Sequence, residues 1–378
     1  MHMLNRTNWR FCAGLSSTWI AALLLIPPAL FGGVRRVKVP GVSADVSVGR
    51  SGAVYLVFGR EGDAYFMVSK DDGLSFSAPQ RLNSSPGTVL VGHERGPKIA
   101  VGKNETLHVI WMDAKSETLE YRRSETQGKS FSLPRNLLDA KTHLDGATIS
   151  ADDSGEVRVS WLDARLPPDP ENPVSLPIFT TVSRDNGETF SGDAPLRANI
   201  PVRACSCCAL KSIAAPGGAV EVVYRGAYQN IRDPFLARLP AREEGGPTLV
   251  RKIQEIGWRF DGCPMAGPSL YHAHGSEEVW TAWMSAGQVY YAESRDEGRT
   301  FLPARTPAGG KLRTRNHPVI LVNNAGQVYL AWEEGLQELW QICDQAGEVL
   351  NSGDAGSLPD NSKATGFVDR DGNFCLVF

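Results

Sequence analysis

The sequence lacks a surplus of positive charge. Its 378 residues include 39 Lys and Arg against 42 Asp and Glu, which gives a formal net charge of −3. A nucleic-acid partner held by a basic surface is therefore not expected. The chain also lacks a P-loop and a dinucleotide-binding fingerprint, so nothing in it predicts phosphate chemistry.

Helical periodicity is nearly absent after residue 33. The chain is nevertheless 42% hydrophobic, which is enough for a sizeable core and excludes a globally disordered protein. Its 38 Gly and 24 Pro make it rich in turns without reaching a collagen-like composition. The length allows either two domains or one large architecture.

Charged side chains are missing from residues 11–33, and Arg6 and Arg10 precede this stretch. A basic start followed by an apolar segment is typical of a secretory signal peptide. An uncleaved N-terminal membrane anchor is the alternative, because an apolar stretch of this length can just span a bilayer. We therefore expect residues 34–378 to form an exported domain that is periplasmic or extracellular, with membrane attachment if the anchor is retained.

Cysteine is scarce, and six cysteines remain once Cys12 is set aside with the N-terminal segment. An even number in an exported chain permits disulfides. Cys343 and Cys375 follow apolar residues in predicted strands and are expected to be buried hydrophobic side chains. The other four are Cys205, Cys207, Cys208 and Cys263.

One pattern, S-x-D-x-G-x-[ST]-F, recurs at residues 69, 124, 183 and 294. Its Asp accepts hydrogen bonds from turn amides, its Gly permits a positive φ, and its Phe anchors the turn. Thr126 replaces the Asp in the second copy, so that turn is expected to be the weakest. The pattern residues in the other three copies are Asp71, Gly73, Phe76, Asp185, Gly187, Phe190, Asp296, Gly298 and Phe301.

Alternating strands recur with the same period of 50 to 60 residues. Many short strands in a fixed repeat predict a β-propeller. The expected fold is all-β with six full blades, and a seventh, partial blade would be closed by an N-terminal strand within residues 34–39. The first strands of the repeats centre on Val46, Ile99, Ile149, Ile213, Leu270, Ile320 and Phe367.

The four quoted segments resemble the Asp-box (BNR) repeat of the sialidase, or neuraminidase, superfamily. This resemblance spans about residues 42–378 and implies a six-bladed propeller. It also implies three Arg around a sialate carboxylate, a Tyr nucleophile with a Glu partner, and an Asp acid/base. The family's first Arg lies in an R-I-P segment, where this chain reads Lys38-Val39-Pro40. The candidate residues are Arg36, Arg225 and Arg315 for the arginines, Tyr224 and Tyr290 for the nucleophile, and Asp145 for the acid/base.

A second resemblance is to uncharacterised exported sialidase-like proteins that carry C-x-C-C in one blade and G-C-P-x-x-G-P at the start of the next. These motifs read Cys205-Ser-Cys207-Cys208 and Gly262-Cys263-Pro-Met265-Ala-Gly-Pro268 in this chain. The resemblance implies no established activity.

Cysteines and histidines precede the first strands of successive repeats at similar distances. In a propeller these positions gather at one mouth of the central channel. Sulfur and imidazole together favour copper or zinc. Two alternatives remain open: a disulfide from Cys207 or Cys208 to Cys263, and a redox or catalytic thiol. The candidate ligands are Cys205, Cys207, Cys208, Cys263, His93, His143, His317 and Met265.

The sequence therefore predicts a binding protein with an axial Cys/His site that holds a metal or is braced by a disulfide. Its partner would be a small ligand, a glycan or a metal. An exo-sialidase type of glycoside hydrolase and a protein-interaction scaffold are the alternatives. The proline-rich segment 165–177 would either wall the pocket or be a plain insertion.

Overall fold

The computed structural model describes residues 34–92, 94–170, 172–241, 246–272, 276–359 and 362–378. The prediction of a signal peptide or membrane anchor in residues 1–33 lies outside these residues. Within the described part, no helix has the length and apolar character needed to cross a bilayer.

The described residues form seven sheets of three or four strands, which we number as blades 1 to 7, and one separate two-stranded sheet. Four antiparallel strands make up each of blades 1 to 4, and each strand pairs with the next one along the chain. Blade 1 contains Val42–Val48, Val54–Arg60, Asp63–Ser69 and Gln80–Arg81. Blade 2 contains Lys98–Val101, Leu107–Asp113, Thr118–Ser124 and Arg135–Asn136. Blade 3 contains Leu144–Ala151, Val157–Asp163, Ile178–Ser183 and Ala194–Pro195. Blade 4 contains Lys211–Ala214, Val220–Arg225, Pro234–Leu239 and Leu249–Lys252.

Blade 6 also has four strands, whereas blades 5 and 7 have three. Blade 5 contains Ser269–His272, Val279–Ser285 and Gln288–Ser294. Blade 6 contains Arg315–Val322, Val328–Glu334, Gln337–Cys343 and Val349–Asp354. Blade 7 contains Thr365–Val368, Phe374–Val377 and Val34–Val37. The other described elements are the paired strands Ser175–Leu176 and Ala204–Cys205 and the short 3-10 helices Lys103–Glu105, Pro216–Gly218 and Tyr228–Asn230.

The first strands of the seven blades contact one another in a closed ring, because the first strand of blade 7 packs against that of blade 1. We call these the inner strands. Val34–Val37 runs parallel to Phe374–Val377, so the two ends of the chain close the ring together. The all-β propeller and the N-terminal closing strand are confirmed. The count of six blades is wrong, because the closing sheet is a seventh blade.

Apolar side chains pack between neighbouring blades. Trp161 of blade 3 shares a cluster with Tyr121 of blade 2, and Trp332 of blade 6 shares one with Trp280 of blade 5. Trp161 and Trp280 are fully buried. Burying one large apolar side chain contributes about 1.5–3 kcal/mol, so these clusters hold the blades as one rigid scaffold.

The four turns of the S-x-D-x-G pattern have a common hydrogen-bond arrangement. In blade 1, the Asp71 carboxylate accepts bonds from Ser69 Oγ at 2.7 Å and Ser75 N at 2.9 Å, and Gly73 N donates to Ser69 Oγ. In blade 2, the Thr126 hydroxyl takes the place of the carboxylate and accepts from Ser130 N at 3.0 Å. A hydroxyl offers fewer acceptor sites than a carboxylate, which is the physical basis for a weaker turn.

The glycine of these turns also has a packing role. Gly73 has a φ of 79°, and a Cβ there would lie 2.7 Å from Phe367 of blade 7. A Cβ on Gly128 of blade 2 would lie 2.1 Å from Phe66 of blade 1. Any larger residue would therefore strain the turn and push neighbouring blades apart.

Candidate functional site

The inner strands of three blades share one distortion at the end where they begin. Blades 1, 3 and 6 have a bulge near Val42–Asp45, Asp145–Thr148 and Asn316–Val319. Each bulge contains a residue at positive φ: Ser43, Gly146 and His317 at 54°, 60° and 44°. Bulges turn side chains away from the regular alternation of a strand and are frequent at binding sites.

A cavity of about 120 Å³ opens where the inner strands begin. Six blades contribute to its lining: all except blade 3. The cavity is smaller than the clefts of roughly 300–1,000 Å³ that enclose drug-sized ligands. It therefore has room for one small polar group rather than for an oligosaccharide. The charged and titratable lining residues are Asp45, Glu94, Lys98, Lys211, His317 and Lys363.

Asp45 of blade 1 connects three blades. Its carboxylate accepts a bond from Ile99 N at 3.0 Å and pairs with Lys211 Nζ of blade 4 at 2.8 Å. Burial alone would raise the pKa of Asp45, but the ammonium groups of Lys211 and Lys98 and the Ile99 bond hold it below its ordinary value. Asp45 is therefore an anion within the wall.

Lys98 of blade 2 differs from Lys211 and Lys363, which each have a direct ion pair. Among the described residues, no carboxylate oxygen lies within 4 Å of its ammonium group, and its Nζ lies 3.4 Å from the Glu94 carbonyl oxygen. Burial lowers the pKa of Lys98 and the nearby Lys211 lowers it further, against the opposing effect of the Asp45 and Glu94 carboxylates. A negatively charged ligand would offset both effects.

Glu94 lies in a cradle made by blades 4, 5 and 7. Ala209 N donates to its carboxylate at 2.8 Å, Gly267 N donates to the other oxygen, and Lys363 Nζ lies 3.6 Å away. A Cβ on Gly267 would lie 2.6 Å from the Ala209 carbonyl oxygen, so a larger residue would obstruct the cradle. Burial lowers the pKa of Lys363 to about 8, against the opposing effect of Glu94.

Both ring nitrogens of His317 face oxygen acceptors. Nδ1 pairs with the Glu333 carboxylate, and Nε2 lies 3.0 Å from the Met265 carbonyl oxygen. Lys363 Nζ donates to the same carbonyl at 3.1 Å. His317 thus lines the cavity without a nitrogen left for a metal, and Met265 takes part through its backbone rather than its sulfur.

Cys207 and Cys263 form a disulfide between the segments that lead into blades 4 and 5, with Cα atoms 6.2 Å apart. Cys205 and Cys208 are free thiols that are both buried. The Sγ atoms of Cys205, Cys207 and Cys208 lie within 4.8 Å of one another. In the described part of the chain, no histidine joins this sulfur cluster.

The proline-rich segment pairs with the cysteine-bearing strand instead of lying in a separate loop. Ser175–Leu176 pairs antiparallel with Ala204–Cys205, so that Ser175 is opposite Cys205. Ser206 N donates to the Val174 carbonyl oxygen at 3.2 Å. This segment of blade 3 therefore walls the cysteine-bearing loop of blade 4.

The three candidate arginines do not converge. Arg36 is exposed on the outermost strand of blade 7, where its guanidinium donates to Ala355 O. Arg225 is buried and donates to Ala266 O and Arg232 O. Arg315 is buried against Glu334, with Nε 2.8 Å from the carboxylate. None of the three lines the axial cavity.

The other sequence-predicted residues are also dispersed. Tyr224 is buried and stacks on Phe235, and Tyr290 stacks on Trp283. Asp145 is near the mouth, where its carboxylate accepts a bidentate pair of bonds from Arg95, from Nε at 2.9 Å and from Nη2 at 2.5 Å.

The other two predicted histidine ligands, besides His317, have different outcomes. His143 is exposed and does not line the cavity, whereas His93 lies outside the described residues. Sequence reasoning missed Lys98, Lys211 and Lys363. Each lies within four residues of an inner-strand centre, but a lysine at a strand end is usually solvated, so its position alone gave no signal.

Comparison with known proteins identifies the fold and no more. No protein-family model matches the sequence, and no curated protein matches it. The chain is similar to an ulvan lyase of a new polysaccharide lyase family bound to -[GlcA(1-4)Rha3S]-, with 12% identity over 89% of this chain and 86% of that one and a TM-score of 0.52. It is similar to a Penicillium chrysogenum alpha-L-arabinanase complexed with arabinobiose, with 14% identity over 82% and 94% and a TM-score of 0.51. A Hadza microbial sialidase is less similar in structure, with 11% identity over 86% of this chain and 68% of that one and a TM-score of 0.45. The chain thus shares its propeller fold with carbohydrate-active proteins.

Proposed function

We propose that the axial mouth binds an acidic carbohydrate through the negatively charged group of one sugar. The observation that carries this proposal is the convergence of Lys98, Lys211 and Lys363, from three different blades, on one small cavity. Among the described lining residues, two carboxylates face them there, those of Asp45 and Glu94. The balance of charge therefore favours an incoming anion.

The size of the cavity is consistent with the binding of one charged group of the sugar rather than of the whole sugar chain. A carboxylate or sulfate fits into about 120 Å³, while the rest of a sugar chain would lie over the mouth. The similar ulvan lyase, bound to a saccharide of this acidic type, gives the ligand class some support through the shared fold. We propose binding rather than hydrolysis, because the three arginines expected to bind the sialate carboxylate in a sialidase do not meet at one site here. The guanidiniums contact other protein groups instead: Arg36 and Arg225 donate to backbone carbonyl oxygens, and Arg315 pairs with Glu334.

Titration calorimetry with the full chain tests this function. We expect glucuronate- and sialate-terminated oligosaccharides to bind, and their neutral counterparts to bind at least tenfold more weakly. Lys98→Met should lower the affinity for the acidic ligands. Lys70→Met is the matched control, since Lys70 is exposed in the turn after the third strand of blade 1. Equal affinity for acidic and neutral ligands would exclude the proposal.

A copper or zinc site is a second candidate, and the cluster of three sulfur atoms favours it. Soft thiolates suit Cu(I) and Zn, but Cys207 is available only when its disulfide is reduced. We expect metal uptake, measured by mass spectrometry of the reduced protein, to be lost in Cys205→Ser and retained in Cys343→Ser. Uptake that is equal in both variants would exclude these sulfurs as the ligands.

We propose that the protein acts outside the cytoplasm. Disulfides persist in oxidising compartments, and the Cys207–Cys263 bond is compatible with such a place. Fractionation of the native host with an antibody against the propeller tests this, and recovery only in the cytoplasmic fraction would exclude it.

A further inference from the structure

Four sulfur atoms near blade 4 form a continuous series. Cys205 Sγ lies 3.7 Å from Cys207 Sγ and 3.6 Å from Cys208 Sγ, and Cys207 is bonded to Cys263. Both distances are close to van der Waals contact between sulfurs. Cys205 and Cys208 are also spaced as a Cys-x-x-Cys pair, which readily forms a disulfide in proteins.

Exposure changes steadily along the series. Cys263 is exposed, Cys207 is half-buried, and Cys205 and Cys208 are buried with 1% and 2% of their surface exposed. The strand Ser175–Leu176 pairs with the strand that contains Cys205. A molecule in solution therefore reaches Cys263 first and cannot directly reach the buried dithiol.

A buried cation lies beside Cys205. Arg232 is fully buried, and its Nε and Nη1 atoms have no hydrogen-bond partner, while Nη2 donates to Gly262 O at 3.0 Å. A buried guanidinium requires a nearby anion. The guanidiniums of Arg232 and Arg225 are the cationic groups that act on the Cys205 sulfur. A Cys205 thiolate can thus serve as the counter-ion.

We propose that these cysteines form a thiol–disulfide relay that passes two electrons from the buried Cys205/Cys208 dithiol to a disulfide substrate in solution. The proposal is independent of the acidic-sugar site. The Cys205 thiolate attacks Cys207 Sγ, which breaks the Cys207–Cys263 bond and releases Cys263 as a thiolate. The Cys208 thiol attacks Cys205 Sγ, and its proton passes to the Cys207 sulfur that this attack releases, which leaves a Cys205–Cys208 disulfide.

The released pair then reacts with the external disulfide, written RSSR. The Cys263 thiolate attacks RSSR, forms a mixed disulfide and releases RS⁻. Cys207 attacks Cys263 Sγ, releases the second RS⁻ and restores the Cys207–Cys263 bond. The net change is oxidation of the Cys205/Cys208 dithiol and reduction of RSSR to two thiols, with two protons transferred.

The test uses the full chain, with Cys12→Ser as background, and a chromogenic aromatic disulfide as RSSR. We expect two thiols released per chain, a first adduct on Cys263 by peptide mass mapping, and a final Cys205–Cys208 disulfide. Cys208→Ser should release one thiol and keep the adduct on Cys263, because the second attack cannot follow. Cys205→Ser should react at least tenfold more slowly.

Matched controls are available within the same chain. Cys343 and Cys375 are free and buried but belong to blades 6 and 7, so Cys343→Ser and Cys375→Ser should behave like the parent. If Cys205→Ser fails to fold, the rate of thiol release from Cys205→Ala and the position of the first adduct in the parent still test the relay. A first adduct on Cys205 or Cys208, or no thiol release from the folded parent, would overturn the relay.

Discussion

Lys211 of blade 4 pairs with Asp45 of blade 1 across the mouth of the propeller, with Nζ 2.8 Å from Oδ1. The two blades are not neighbours in the ring, so this ion pair joins opposite parts of the wall. The same carboxylate accepts the Ile99 amide of blade 2. Asp45 therefore both stabilises the mouth and reduces its positive charge.

Asp45→Asn should separate these two roles. The neutral amide keeps the shape of the side chain but leaves Lys211 without its buried partner, so we expect a loss of about 1–3 kcal/mol in the free energy of unfolding. The mouth gains one unit of positive charge, so acidic-sugar affinity should rise. Urea denaturation and calorimetry on the same samples measure both effects. A parallel loss of stability and affinity would contradict the assigned role of Asp45.

The affinity for an acidic sugar should fall as the pH rises through about 8. Burial lowers the pKa of Lys363 to about 8, so its ammonium group loses its proton there, and a bound anion favours the protonated form. Calorimetry between pH 6 and 10 measures this decline. Lys363→Arg should retain affinity to a higher pH, because an Arg keeps its proton. An affinity that stays constant over this range in the parent would contradict the role of Lys363.

Stability should fall between about pH 4.5 and pH 8 because of Glu221. This residue is buried between blades 4 and 5, both carboxylate oxygens lack hydrogen-bond partners, and burial raises its pKa to about 8. The folded state keeps the proton after the unfolded state has lost it, so the stabilisation is complete below pH 4.5 and disappears as the pH approaches 8. Urea denaturation across this range measures the slope. Glu221→Gln should flatten it, whereas Glu348→Gln, an exposed site in blade 6, should leave it unchanged.

Thr126→Asp should strengthen the turn of blade 2. In blade 1 the equivalent Asp71 accepts bonds from Ser69 and from both the amide and the hydroxyl of Ser75. A carboxylate at residue 126 can make the same set of bonds with Ser124 and Ser130. We expect a rise of about 1–2 °C in Tm by calorimetry, and a fall for the reciprocal Asp71→Thr. A lower Tm for Thr126→Asp would show that the second turn is built differently.

The repeat made most of the fold predictable. Alternation and period located all seven inner strands, since residues such as Ile99 and Ile320 lie within them. The seventh blade was predicted only as a partial one, closed by an N-terminal strand. Val34–Val37 does pair in parallel with Phe374–Val377, but strands so distant in the sequence leave no local pattern that counts this sheet as a full blade.

The lining of the cavity was predictable only in part. Counting back from the inner strands selected His317, which lines the cavity, but also His143, which does not. The counting favoured Cys and His because they ligate metals, and it passed over Lys98, since a lysine at a strand end is usually solvated. Only the ring of seven strands brings three such lysines together, so their shared cavity could not be recognised one repeat at a time.

A crystal structure of the protein soaked with glucuronate would test the acidic-sugar site most directly. We expect a carboxylate in the axial cavity, within hydrogen-bond distance of Lys98 Nζ and of Lys211 or Lys363. A saturating soak that leaves this cavity without the sugar, or that shows the sugar only on the outer strands of the blades, would contradict the proposed site.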